Sequence, residues 1–184
     1  MAAMIPIFVA SRDGQAERIA LHMAARLQEG LAPASVHVLT AAGPFPSIEA
    51  NAPIVVLVAA VRYGKHLPEA ETFLTRYASS SAPPPLALAS VNLVARKPNR
   101  QSVRTNQYLR KLIARHKLEP VLAAAFAGRL CYPRYNWFDR QAIRLIMAMS
   151  GGNADGRSTI EYTDWRQVDE FVMGVTRIIT QRCG

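Results

Sequence analysis

IPIFVASRDGQAERIA, residues 5–20, joins an apolar run to a segment of helical period through a short polar turn. The run from Ile5 to Ala10 is apolar throughout, short, and bounded by turn residues, which predicts a strand covered on both faces. Beyond the turn, Ile19, Met23 and Leu27 recur at i, i+4 and i+8 with Ala20 and Ala24 beside them, the spacing of a buried helix face, and Gly30 closes the run. Ser11, Arg12, Asp13, Gly14, Gln15 and Ala16 therefore lie where a strand hands over to a helix. Gly14 lets the backbone approach a ligand closely, the free N–H groups of the helix start attract an anion, and Ser11 adds a hydroxyl. The loop is a candidate phosphate cradle, although a polar glycine turn also serves as a plain connection. It has neither G-x-G-x-x-G nor the Walker lysine pattern, which disfavours dinucleotides and nucleoside triphosphates.

Working outward, SVHVLT (35–40), PIVVLVAAV (53–61), LALASVNL (86–93) and VLAAAFA (121–127) predict four more strands, the second of these being the strongest. Helices are predicted from Pro68, with Glu69 and Glu71 near its positive end, over 105–117, and from Asp164, where DWRQ resembles a capping box. Strands alternating with helices argue for a doubly wound parallel sheet with right-handed crossovers. Five strands in this length suit a flavodoxin-like α/β order of 2-1-3-4-5, with an insert (129–158) interrupting the last strand before TIEYT (159–163). At 184 residues, half of them hydrophobic, the chain 1–184 reads as a single domain. Ligands of such sheets bind beyond the carboxyl ends of the strands, which selects the loops 11–16, 61–66 and 90–96.

The net charge of +9 is unevenly placed. Residues 92–144 hold twelve Lys and Arg against Glu119 and Asp139, so this stretch carries +10 and the remainder −1. One part of the chain is built to meet something anionic. Cys131 and Cys183 are far apart without a Cys-x-x-Cys spacing, so no disulfide, zinc or other metal site is expected and a reducing cytosol fits. The start of the chain lacks a signal-peptide pattern, and no apolar run is long enough to span a bilayer, so membrane contact is expected to be peripheral.

In the second loop Arg62, Tyr63 and Gly64 set an aromatic ring with a polar tip beside a glycine, suited to stacking on a planar cofactor or to an ordinary strand end. In the third, the backbone amides of Val91, Asn92 and Leu93, with the Asn92 side chain, suit the edge of a heteroaromatic ring. Arg96 and Lys97 suit carboxylates or a solvated face. The insert interleaves aromatics and arginines in YPRYNWFDR and continues into a helix from Asn136 to about Met149 with Ile143, Leu145, Ile146 and Met147. That pattern fits a core helix, a helix at a lipid interface, or stacking on single-stranded nucleic acid.

SRDGQ, RYGKH, SVNLVARKP, LCYPRYNWFDR, IRLIMAMSGG and EYTDW, in this order, closely resemble the menaquinone-dependent protoporphyrinogen IX dehydrogenase family over nearly the whole chain. The resemblance implies oxidation of protoporphyrinogen IX to protoporphyrin IX in haem biosynthesis, with a membrane quinone, menaquinone or ubiquinone, as acceptor. It implies FMN with its phosphate on residues 11–16 and its ring between the loops around Tyr63 and Asn92. Arg96, Lys97, Arg134 and Arg140 are then candidates for propionates or lipid phosphates, on a cytoplasmic protein peripheral to an anionic inner membrane face. No nucleic acid partner is expected, and assembly into a homo-oligomer is left open. Ala16 departs from the threonine common in flavodoxins, so one hydroxyl donor is lost, and Asp13 is expected to turn away from the phosphate and cap the helix. No acid or base is assigned. The alternatives are an electron-carrier flavodoxin, disfavoured by the basic charge, and an NAD(P)H:quinone reductase.

Overall fold

The apolar runs become β1 (Ile5–Ala10), β2 (Ala34–Val38), β3 (Val55–Arg62), β4 (Lys65–His66), β5 (Leu86–Val91) and β6 (Leu122–Phe126) of one sheet. The computed structural model describes residues 4–30, 32–43, 46–49 and 51–183, the Cys183 side chain excepted; the Cys183 thiol and the first three residues lie outside this description. Strands β2-β1-β3-β5-β6 pair in parallel in that order, which is the predicted 2-1-3-4-5 arrangement with β4 added antiparallel to the end of β3. The connecting helices are α1 (Gln15–Glu29), α2 (Pro68–Ala78), α3 (Gln107–His116), α4 (Trp137–Met149) and α5 (Trp165–Cys183).

Alternation along the strands divides the core in two. Ile5, Ile7 and Val9 of β1 and Val56 and Val58 of β3 pack with Ile19, Met23 and Leu27 of α1 and Val168, Phe171 and Val172 of α5. Phe8 of β1 and Val55, Leu57 and Ala59 of β3 pack on the other face with Phe73 and Leu74 of α2 and Leu109 and Leu112 of α3. Both faces of β3 are covered, and this is why its sequence reads as a continuous apolar run rather than an alternating one.

The register sets Ala10 opposite Ala59 and Ala60 opposite Val91, so β1, β3 and β5 end at a common level and their following loops share one crevice. The β3–β4 connection is a two-residue hairpin in which Tyr63 (φ 50°) and Gly64 (φ 76°) are both left-handed, flanked by the Arg62–Lys65 pair. That is the backbone of a type I′ turn, whose twist matches antiparallel strands. Only the second of its two positions is a glycine, and a tyrosine at the first costs roughly 1–2 kcal/mol.

The insert differs from expectation. It does not interrupt a strand of the main sheet: β7 (Arg129–Cys131) and β8 (Thr159–Glu161) pair with each other, antiparallel, as a separate two-stranded ribbon. Leu130, Tyr132, Tyr135 and Met147 form a small core of their own beneath α4.

Candidate functional site

A cleft of about 400 Å³ opens where β1, β3 and β5 end, floored by the loops after them and walled on one side by α4. Its first component is the loop after β1. Gly14, in the left-handed conformation (φ 84°), is the N-cap of α1, and no side chain caps that helix. The Gly14 N–H donates to Ser11 Oγ at 3.2 Å, while the next N–H groups belong to the helix start, whose first-turn donors lack partners within the helix. A β-carbon on Gly14 would meet nothing within 4 Å, so the space beside Gly14 is open. A phosphate monoester fits this end by charge and by donor supply.

The side chains of this loop are largely committed elsewhere. Gln15 Nε2 donates to Thr163 Oγ1 at 2.9 Å and Glu161 Oε1 at 3.1 Å, tying α1 to the return from the insert. Arg12 leans away to Glu69 at 3.3 Å and does not line the cleft. Ala16 is buried beneath it and offers no hydroxyl. Asp13 does not cap α1 as expected; it stays at the cleft, where its Oδ1 accepts from Arg62 Nη1 at 3.3 Å. The reason is Arg62, a cation within reach that outcompetes a cap position already taken by Gly14.

Arg62 joins two carboxylates. Its Nη2 also donates to Asp139 Oδ2 at 3.1 Å, and Asp139 Oδ1 accepts from the Tyr63 hydroxyl at 2.5 Å. The guanidinium lies 5.1 Å from the centre of the Tyr63 ring. Burial alone depresses the Arg62 pKa, but the Tyr63 hydrogen bond, the charge of Asp13 and the Asp139 hydrogen bond outweigh it, so the group is held above its ordinary value. Asp139 arrives from α4, where its N–H is also accepted by the cap residue Asn136 at 2.8 Å. Arg134 adds a second tie between insert and loop by donating to the Asp13 carbonyl at 3.2 Å.

The third loop is a pair of 3₁₀ turns, Leu93–Arg96 and Pro98–Arg100. Val91, Asn92 and Leu93 all border the cleft, but the Asn92 side chain is turned inward. Its Oδ1 accepts from Ala95 N at 3.1 Å and Asn106 Nδ2 at 3.1 Å, and its Nδ2 donates to Ser90 Oγ at 3.0 Å. Main-chain groups are thus what this loop offers to a ligand. Behind it, Ser90 Oγ meets His66 Nε2 at 2.8 Å. Burial pushes the His66 imidazole down to about 4, with Arg115 and His116 adding to the effect and Glu71 opposing it. With Asn92 donating to Ser90, the hydroxyl hydrogen is free to go to His66, which suits a neutral ring.

Beyond these loops the cleft widens between a cationic and an apolar side. Lys97, Arg100 and Arg129 line it opposite Ala142, Ile143 and Ile146 of α4. Arg96 lines it too, but its guanidinium clamps Leu93 O at 2.9 Å and the Ser150 carbonyl at 3.0 Å. Arg134 and Arg140 stand outside the lining; Arg140 turns back toward Tyr135 O at 3.5 Å. Sequence reasoning did not single out Arg100, Arg129 or Asp139 for the site. For Asp139 a signal existed, since it is one of two acidic residues in a stretch of twelve basic ones. For Arg100 and Arg129 nothing local distinguishes them from solvated neighbours.

The flavodoxin-domain family matches residues 6–156. The chain is 40% identical over 175 residues, 94% of each chain, to protoporphyrinogen IX dehydrogenase (quinone) of Escherichia coli strain K12. It is 41% identical over 117 residues to the Leishmania major protein of the same name, covering 64% of this chain and 51% of that one. Among solved structures, a Streptococcus pneumoniae flavodoxin superposes with a TM-score of 0.55 at 12% identity, covering 95% of this chain and 99% of its own. A flavo di-iron protein of Thermotoga maritima does so with a TM-score of 0.59 at 10% identity, covering 97% of this chain and 36% of its own.

Proposed function

The chain belongs to the flavodoxin-domain family and, within it, to the quinone-dependent protoporphyrinogen IX dehydrogenases, and on this footing we propose that it oxidises protoporphyrinogen IX to protoporphyrin IX through bound FMN, with a membrane quinone as acceptor. It is an oxidoreductase of haem biosynthesis. When bound, FMN accepts a hydride or single electrons and gives them up again. The protein's part is to place two partners against it.

The observation that carries this reading is the uncapped start of α1 opening onto a cleft much larger than a phosphate site needs. The main-chain N–H groups of residues 15 and 16, with the Ser11 hydroxyl, would hold the FMN phosphate. The hairpin Arg62–Gly64 and the backbone of Val91, Asn92 and Leu93 hold its ring. The wider end takes the porphyrinogen: Ile143 and Ile146 contact the apolar macrocycle, and Lys97, Arg100 and Arg129 meet its propionates, with Arg96 fixing the loop that carries Lys97.

Membrane docking follows from the outer face of α4. Phe138, Leu145 and Met149 fall at i, i+7 and i+11 on one face, and Trp137 stands beside them, all exposed. No helix of the described residues is long and apolar enough to cross a membrane. A short helix with an apolar outer face and flanking arginines, Arg134 among them, instead lies in the headgroup region of an anionic surface, the inner face of the cell membrane, where a lipid-borne quinone reaches the cleft.

The test is spectroscopic. Protein loaded with FMN and mixed anaerobically with protoporphyrinogen IX, with NADPH and with a quinone is expected to bleach with the porphyrinogen and recolour with the quinone. Bleaching by NADPH alone would point to a nicotinamide-fed reductase, and failure to bind FMN would remove the reading altogether.

A further inference from the structure

Aromatising a porphyrinogen removes hydrogen from carbon and from nitrogen. A porphyrin keeps two of the four N–H groups, so two of the three two-electron rounds pair a hydride from a meso carbon with a proton from a pyrrole nitrogen, and the third takes its proton from carbon. Once the hydride has left, positive charge spreads over the adjacent pyrroles and the N–H becomes acidic, so even a weak base suffices, provided that it is present in the cleft. Among the described residues lining that cleft there are two carboxylates, Asp13 and Asp139, and no histidine.

We propose that Tyr63 and Asp139 form the proton exit of the oxidation, the phenol taking a pyrrole N–H proton while passing its own to the carboxylate. This rests on the porphyrinogen reading of the cleft. Asp13 is the weaker candidate because it belongs to the anion-binding loop. Asp139 is 8% exposed and holds the Tyr63 hydroxyl at 2.5 Å, while Tyr63 itself is 68% exposed at the cleft and supplies the reach. Arg62 Nη2, 3.1 Å from Oδ2, occupies that oxygen and leaves Oδ1, on the Tyr63 side, as the receiving atom. The strained left-handed backbone of Tyr63 aims the ring, and strain of this kind persists only where the surroundings enforce it. Here they do so through the Asp139 hydrogen bond and the Arg62 stack.

The step moves protons only. The substrate N–H bond breaks as an O–H bond forms at Tyr63 Oη, and the former Tyr63 O–H breaks as one forms at Asp139 Oδ1. The pyrrole nitrogen retains its electron pair, which neutralises the charge left by the hydride. Asp139 returns its proton to water before the next round. The other titratable groups at this junction are Arg62, Asp13, Arg134 and Tyr135.

Anaerobic stopped-flow on FMN-loaded protein tests the proposal by separating bleaching by protoporphyrinogen IX from recolouring by a short-chain quinone. Tyr63→Phe and Asp139→Asn, each compared at full FMN loading, are expected to bleach about 10²-fold more slowly, with recolouring slowed far less than bleaching. If Asp139→Asn weakens the loop and loses flavin, Tyr63→Phe decides, since it keeps the ring and removes one oxygen. Bleaching of Tyr63→Phe at the wild-type rate overturns the proposal, as does an equal slowing of both half-reactions together with weakened FMN binding, which would mean that the pair only positions the cofactor. A wild-type protein that porphyrinogen never bleaches defeats the functional reading first, and the proton role falls with it.

Discussion

At the scale of single residues, His66 illustrates how burial converts an ordinary side chain into a constraint on conditions. Its imidazole is 7% exposed, accepts a hydrogen bond from Ser90, and has its pKa lowered from 6.5 to about 4. The folded state therefore binds this proton less readily than the unfolded chain, so stability is fully present above pH 6.5 and is lost as pH falls toward 4. The loss from this one group is of order 3 kcal/mol over that window. Urea unfolding at several pH values is expected to show a steeper acid-side decline for wild type than for His66→Gln. Parallel curves would mean that the ring protonates without cost. Neither the burial nor the Ser90 partner is legible in RYGKH, because Ser90 stands on β5, 24 residues along the chain, and the charged groups around the ring, Glu71, Arg115 and His116, come from α2 and α3.

At the scale of elements, the third loop and α3 are locked by one side chain. Asn106 is fully buried; its Oδ1 caps α3 by accepting from Tyr108 N and Leu109 N, and its Nδ2 donates to Asn92 Oδ1 and Arg100 O. Asn106→Leu removes the cap and leaves buried groups without partners, and about 3 kcal/mol of stability is expected to go with it. A urea midpoint shifted by less than about 1 kcal/mol at unchanged slope would show that water replaces the amide. The sequence predicts a helix here over 105–117. It does not reveal that the cap residue also holds the loop beside the cleft, since Asn92 and Asn106 become neighbours only when β5 and α3 pack.

For the whole molecule the deciding features are the two sides of the insert. One side of α4 walls the cleft, and the other presents Trp137, Phe138 (77% exposed), Leu145 and Met149 (81% exposed) to the surroundings. Burying one such side chain in an apolar phase is worth roughly 1.5–3 kcal/mol, so replacing these four with serine is expected to weaken binding to anionic phospholipid vesicles by at least about a hundredfold. The fold and the FMN affinity are expected to stay intact, as none of the four reaches the cleft. Vesicle flotation checks this, and undiminished flotation of the quadruple variant would assign membrane contact to charge alone. The charge of +10 over residues 92–144 further predicts that wild-type binding weakens as salt rises.

Strand order, the crevice at the strand ends and the three loops around it were legible in the sequence, because apolar period and turn chemistry are local properties and parallel α/β connection rules leave few topologies. The concentration of positive charge was equally plain. Tertiary structure alone decided the direction of each side chain: Asn92 faces inward, Arg134 and Arg140 leave the lining while Arg100 and Arg129 enter it, and the insert closes as its own hairpin. It also brought Asp139 to Arg62 and Tyr63 across 77 and 76 residues. Such contacts depend on long-range packing, which fixes where a side chain points, whereas period and propensity fix only which element it stands on.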